Sequence, residues 1–140
     1  MSEENKVEVK NESNEISYDD IFVKDTDTFD IDISYYKNNN DIWIKDIDET
    51  FDTKHANIKN FTVTFRYPNF SDYKKIQQNN VKQDPNSMFD LIGLQYSRLE
   101  TLFKSWTLKQ PEKEMKNLNP KFLKAIIQKM NDKIGLDGVV

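Results

Sequence analysis

The chain of 140 residues carries a formal net charge of −4, with 36% hydrophobic residues, 31% charged residues and no cysteine. That length suits one domain and exceeds the size at which a core needs disulfides or metals to hold it. Lack of cysteine excludes a disulfide framework, a thiol nucleophile and a thiolate metal site.

A mean hydropathy of −0.82 predicts that part of the chain stays outside any core. Nine Phe, six Tyr and two Trp leave enough apolar surface for the rest to fold. No apolar run approaches the ~18 residues of a membrane-spanning helix, and the polar, acidic start does not read as a secretory signal. An intracellular site of synthesis is the default expectation. Residues 1–70 hold 16 acids against 8 bases, and residues 71–140 hold 8 acids against 12 bases. The halves are expected to present complementary surfaces to each other. With 18 Lys and only Arg66 and Arg98 as arginines, the forked donors that read base edges are nearly missing. Nucleic acid is therefore not expected as a partner, and Lys and Asn enrichment also follows from A/T-rich codons.

Residues 1–16 are polar and acidic, and cannot bury enough surface to offset chain entropy, so they are expected to form a disordered arm. Residues 17–140 are expected to form a single domain, β-rich over 20–67 and helical over 71–134. Apolar content rises from Tyr18 to Val23, where a first extended segment is expected. Phe29, Ile31, Ile33 and Tyr35 alternate with Asp30, Asp32 and Ser34, giving a strand with one apolar and one acidic face. Asn38, Asn39 and Asn40 read as a hairpin turn, after which Ile42, Trp43, Ile44 and Ile47 resume strand character. Residues 48–60 read as a connection whose Phe51 folds back on the sheet.

Phe61, Val63, Phe65 and Tyr67 give the clearest strand, which Pro68 ends. Ser71 is the expected cap of a short helix over 71–78, with Tyr73 and Ile76 on one face. A linker-like stretch follows at 77–84. Asp84 and Pro85 read as an N-cap and first helical position. Leu91, Leu94, Arg98, Leu102 and Trp106, widened by Leu99 and Phe103, predict an amphipathic helix over 86–106. Gly93 inside it would cost about 1 kcal/mol relative to Ala. Asn119 and Pro120 repeat the cap-plus-proline device. Phe122, Leu123, Ile126, Ile127, Met130 and Ile134 then predict a last helix, stopped by Gly135. The predicted class is α+β, a small antiparallel sheet in the N-terminal half packed by two or three C-terminal helices. Its expected core is Phe61, Val63, Phe65, Leu94, Leu102, Trp106, Leu123 and Ile127.

Catalytic chemistry finds little to build on. His55 is the single histidine, sits in a polar stretch and is expected at the surface. Without companions it makes neither a zinc site nor a general-base pair. Asp30, Asp32 and their neighbours do not fit a calcium loop, because Tyr35 falls where the glycine belongs and Asp41 where the bidentate glutamate belongs. They are expected to line a solvated strand face, with a weak cation site left open. Glycines at 93, 135 and 138 cannot form a phosphate loop. Ser71, Ser97 and Ser105 lack a nucleophile-elbow context. Phe70, Tyr73, Lys74 and Lys75 interleave aromatics with bases, but fit a helix with Tyr73 turned inward and solvated lysines. No enzyme, cofactor or metal is expected.

One family resemblance is present. Leu-Glu-Thr-Leu-Phe-Lys-Ser-Trp-Thr-Leu at 99–108 is followed by a charged spacer with Pro111. Asn-Leu-Asn-Pro at 117–120 then leads into an apolar helix. Phe-Arg-Tyr-Pro-Asn-Phe-Ser-Asp at 65–72 precedes them as a strand followed by a helix. Over about residues 61–134 this resembles bacteriophage tail-assembly chaperones and minor tail structural proteins. The acidic, β-rich N-terminal half departs from that mainly helical pattern. The resemblance implies a non-enzymatic tail assembly or virion structural protein working by protein–protein contact. It implies other phage structural or assembly proteins as partners, a location in the host cytoplasm during assembly or in the virion, and no membrane. Self-association stays open, as does the alternative of an intracellular adaptor or regulatory module. The partner surface is expected on the C-terminal helical unit, at Trp106, Phe122, Ile126, Met130, Ile134 and Leu136, because two helices alone cannot hide so many apolar groups.

Overall fold

The computed structural model describes residues 15–81 and 91–135. The expected disordered arm therefore lies outside the described residues except for Glu15 and Ile16, both exposed. The expected cap at Asp84 and Pro85, and Leu136 in the C-terminal tail, also lie outside them.

The fold is α+β. One turn of helix, α1 (Tyr18–Ile21), leads into β1 (Thr28–Asn38), β2 (Asp41–Ile44) and β3 (Lys59–Arg66). Helices α2 (Phe70–Val81) and α3 (Leu91–Leu102) follow, then β4 (Phe103–Trp106), a 3-10 segment over Glu112–Asn117 and α4 (Pro120–Ile134). The four strands form one antiparallel sheet in the order β2-β1-β3-β4. The period of two in β1 and β3 produces its register: Phe29 faces Phe65, Ile31 faces Val63 and Ile33 faces Phe61. These six side chains are buried on one face, each contributing about 1.5–3 kcal/mol by leaving water. Helix α3 packs on β3, and α4 packs on β1 and β2. They bring Leu99, Leu102, Ala125, Ile126 and Met130 into the same core.

The opposite face is polar, as the alternation predicts. Thr62 and Thr64 donate hydroxyl hydrogen bonds to Asp32 and Asp30 across the strands, each at 2.7 Å. Asn39 and Asn40 turn the β1–β2 hairpin with φ of 52° and 71°. Two successive left-handed residues make the turn that matches strand twist, and Asn tolerates that region better than other side chains. The connection after β2 folds over the polar face at this end. Phe51 lies 5.0 Å from the Tyr36 ring, and His55 stacks on it at 4.0 Å. His55 is thus half-buried in an aromatic stack, with Nδ1 accepting from the Asn57 N–H.

Three expectations are corrected. The segment at Tyr18 to Val23 is not extended: Phe22 N–H bonds back to the Tyr18 carbonyl in a helical turn, consistent with the three- and four-residue spacing of Tyr18, Ile21 and Phe22. Asn69, not Ser71, opens α2, its side chain accepting from Asp72 N–H while Asp72 accepts from Asn69 N–H. The predicted helix ending at Trp106 stops at Leu102. Residues 103–106 instead pair with the free edge of β3, with a register shift at Thr64 and Phe65. A helical stripe ending in Phe, Ser and Trp suits a strand equally well, and an open strand edge offers the unpaired backbone groups that decide between them.

Opposite charges join the two halves. Asp72 pairs with Arg66, and Lys121 and Lys129 of α4 reach Asp48 and Asp46. Arg98, read from sequence as part of an apolar stripe, is 1% exposed. It donates to the Gly135 carbonyl at 3.1 Å and to the Asn131 side chain, so its charge faces the C-terminal end of α4, where a cation is favoured. Burial pushes its pKa below the usual value, opposed by Tyr73.

Candidate protein-binding cleft

The C-terminal apolar residues expected to bind a partner are mostly spent on the core. Ile126 and Met130 are 2% and 0% exposed. Phe122 is half-buried, edge-on to Tyr35 at 4.8 Å and Phe61 at 5.8 Å. Trp106 sits opposite Val63, edge-on to Phe103 at 5.2 Å, with its indole N–H on the Gln110 carbonyl at 2.7 Å. Sheet coverage is the reason: α4 lays its apolar face on β1 and β2, which buries Ile126 and Met130 and partly buries Phe122. Leu123 and Ile127, expected in the core, pack at its margin, as does Trp106. Of the five predicted partner residues among the described ones, Ile134 lines an open cleft and the other four do not.

That cleft, of about 700 Å³, lies between the segment entering β1, the turn from β3 to α2, and the end of α4. Asp19, Asp20, Phe22, Val23, Thr26, Asp27 and Thr28 line one side, with Tyr67, Pro68, Tyr73 and Ile134 on the other. Its first wall is positioned by backbone. Asp27 N–H bonds the Lys24 carbonyl, Lys24 N–H bonds the Asp27 carboxylate, and Tyr67 N–H reaches the Asp27 carbonyl at 3.0 Å, extending the β1–β3 ladder. Lys24 also pairs with Asp19 at 2.5 Å. That hydrogen bond, then the charge of Asp19, raises the Lys24 pKa. Phe29 packs against Tyr67 at 4.9 Å, linking the second wall to the core.

Exposed apolar side chains gather at one side of this mixed polar and apolar cleft. Helix α1 buries no residue. Phe22 is 61% exposed and, among the described residues, stacks only on the exposed Tyr18. Ile16, Ile21 and Val23 are exposed beside them, and Phe70, next in chain to the cleft, is 80% exposed. Single exposed apolar residues are normal, whereas a contiguous group marks an interaction surface. Sequence reading missed this group because it took the rise in apolar content at Tyr18 as the start of the sheet. The available signal was that these residues have no alternating polar face and no second apolar stripe to pair with.

Other candidates offer no comparable site. Among the described residues, no group of three or more His, Asp or Glu side chains is arranged to hold a metal ion. None of the described helices is long and apolar enough to cross a membrane. Lys74 and Lys75 are exposed and Tyr73 half-buried, so α2 presents cations without an inner stacking platform. Comparison with protein-family models, curated proteins and solved structures finds no match to this chain.

Proposed function

We propose that this chain is a non-enzymatic bacteriophage tail assembly or virion structural protein that works by binding other proteins. The observation that carries the binding reading is the set of exposed aromatic and aliphatic side chains, with Phe22 lining the cleft and Phe70 two residues beyond its Pro68. Aromatic anchors of this kind supply most of the energy in protein interfaces. The phage setting rests on the resemblance over residues 61–134. Two features fit it: a strand followed by a helix at Lys59–Arg66 and Phe70–Val81, and a last helix opened by Asn119 and Pro120. Placing Trp106 in a strand rather than a turn departs from it.

The test is co-expression with candidate tail-tube and tape-measure proteins, followed by affinity purification and by mass spectrometry of purified particles. Recovery with a tail component, lost in the Phe22→Ser, Phe70→Ser double variant, is the expected result. A folded protein that associates with no tail component and is absent from particles and assembly intermediates refutes the assembly reading. It would leave the intracellular adaptor as the better account.

A further inference from the structure

Resting on that reading, we propose that the cleft accepts a basic amphipathic segment of the partner, with apolar anchors between the walls and lysine or arginine on the rim. Among the described residues, every charged side chain that lines the cleft is an aspartate: Asp19, Asp20 and Asp27. Lys24, beside the cleft, is held by Asp19, and its own N–H is bonded to Asp27. Asp20 makes no ion pair among the described residues. Three carboxylates thus face one lysine, and an arriving cation meets a rim of net negative charge on which Asp20 is unpaired among the described residues.

Exposed apolar side chains such as Phe22, Val23 and Tyr67 supply affinity in such a site, while the acids steer and select the partner. A phosphate-bearing surface, whether nucleic acid or anionic lipid, meets repulsion at the same rim. The chain's own flanking segments share its sign. Residues 1–14 carry four Glu and two Lys, and residues 136–140 carry Asp137 and no base. Charge complementarity thus favours a separate, basic partner over either of them.

The probe is a fluorescein-labelled helical peptide of roughly 14 residues, with leucines on one face and lysines on the other, matched by a peptide with glutamate for lysine. Anisotropy is measured with the full chain at about 50 and about 300 mM salt. The lysine peptide is expected to bind at least about tenfold more tightly than the glutamate peptide. Phe22→Ser should weaken it by about tenfold or more. Asp19→Asn with Asp20→Asn should weaken it and flatten its salt dependence, whereas the remote, exposed Asp41→Asn should do neither. Urea midpoints check that each variant stays folded.

Equal binding of the two peptides, no effect of Phe22→Ser, or an equal effect of Asp41→Asn overturns the proposal. So does a Phe22-dependent dimer in sedimentation without peptide, which would assign the cleft to a second copy. If the peptide results fail while a tail component still co-purifies through Phe22 and Phe70, the surface stands and its charge chemistry falls. If they hold and no tail component is recovered, the cleft stands and the assembly reading falls.

Discussion

Replacing Asp72 by Ala tests how this fold joins its sheet to its helices. Asp72 is buried at the start of α2 and accepts two hydrogen bonds from Arg66, at 3.2 and 3.0 Å, and one from Asn69 N–H at 3.0 Å. The other Arg66 contact, to the Thr101 carbonyl at 3.0 Å, ties the same guanidinium to the end of α3. One ion pair thus links β3, α2 and α3, and the hydrogen bond to Asp72 raises the Arg66 pKa. Exposed pairs are worth about 0–1 kcal/mol, and breaking a fully buried one costs about 3–5 kcal/mol. Side-chain exposures of 24% and 10% place this pair between those limits. Adding the lost cap, Asp72→Ala should cost about 2–3 kcal/mol. With a urea slope of about 1.5 kcal/mol/M, the midpoint falls by between about 1 and 2 M. A double-mutant cycle with Arg66→Met, followed by tryptophan fluorescence, isolates the pair and should give a coupling of about 1–2 kcal/mol. A coupling under about 0.5 kcal/mol would show that the three elements are held by apolar packing alone.

Met130→Ala should cost about 2–5 kcal/mol in chemical unfolding, because its side chain is fully buried; a much smaller loss would return Met130 to the surface. Trp106→Ala, at the edge of the sheet and half-buried, should cost about 2 kcal/mol, less than the about 3–5 kcal/mol of a fully buried tryptophan. Asn40→Val should lose about 1–2 kcal/mol because φ there is 71°, whereas Asn40→Gly should be neutral or stabilising in the same assay. Burial, then Glu100, raises the Tyr96 pKa above its ordinary value of 10.0. The neutral phenol is favoured in the folded state, so its contribution to stability is complete below about pH 10 and lost as pH rises through the folded pKa. Melting temperatures between about pH 9 and pH 11 should fall less steeply in Tyr96→Phe.

Strands β1 and β3 were legible because one side of the sheet is packed and the other wet, which writes a period of two into Phe29 through Tyr35 and Phe61 through Arg66. The last helix was legible for a related reason: Asn119, Pro120 and Gly135 punctuate a stripe of apolar residues, and Asn119 does accept from Lys121 N–H. β4 was not legible. Four residues that can extend a helix become a strand only because β3 has a free edge, and that edge is created by residues far earlier in the chain, Val63 to Phe65. Arg98 was misplaced for the same kind of reason. Its stripe position is apolar by spacing, while the carbonyl and amide to which its terminal nitrogens donate come from the end of α4.

The interaction surface follows from what the sheet can and cannot cover. Its apolar face is finite, and α3 and α4 occupy it, bringing Ile126 and Met130 to near-zero exposure. An apolar residue far from that face has no core to join, whatever its count in the sequence. Ile16, Tyr18, Ile21 and Phe22 are in that position: α1 stands ahead of β1 and buries none of them. Counting apolar residues per helix points to the C-terminal half, whereas asking which of them the sheet can reach points to the N-terminal one. Hydrophobicity therefore marks an interface only after the fold has taken its share, and around this cleft most of the exposed apolar residues lie on the strand-poor segment that enters the sheet.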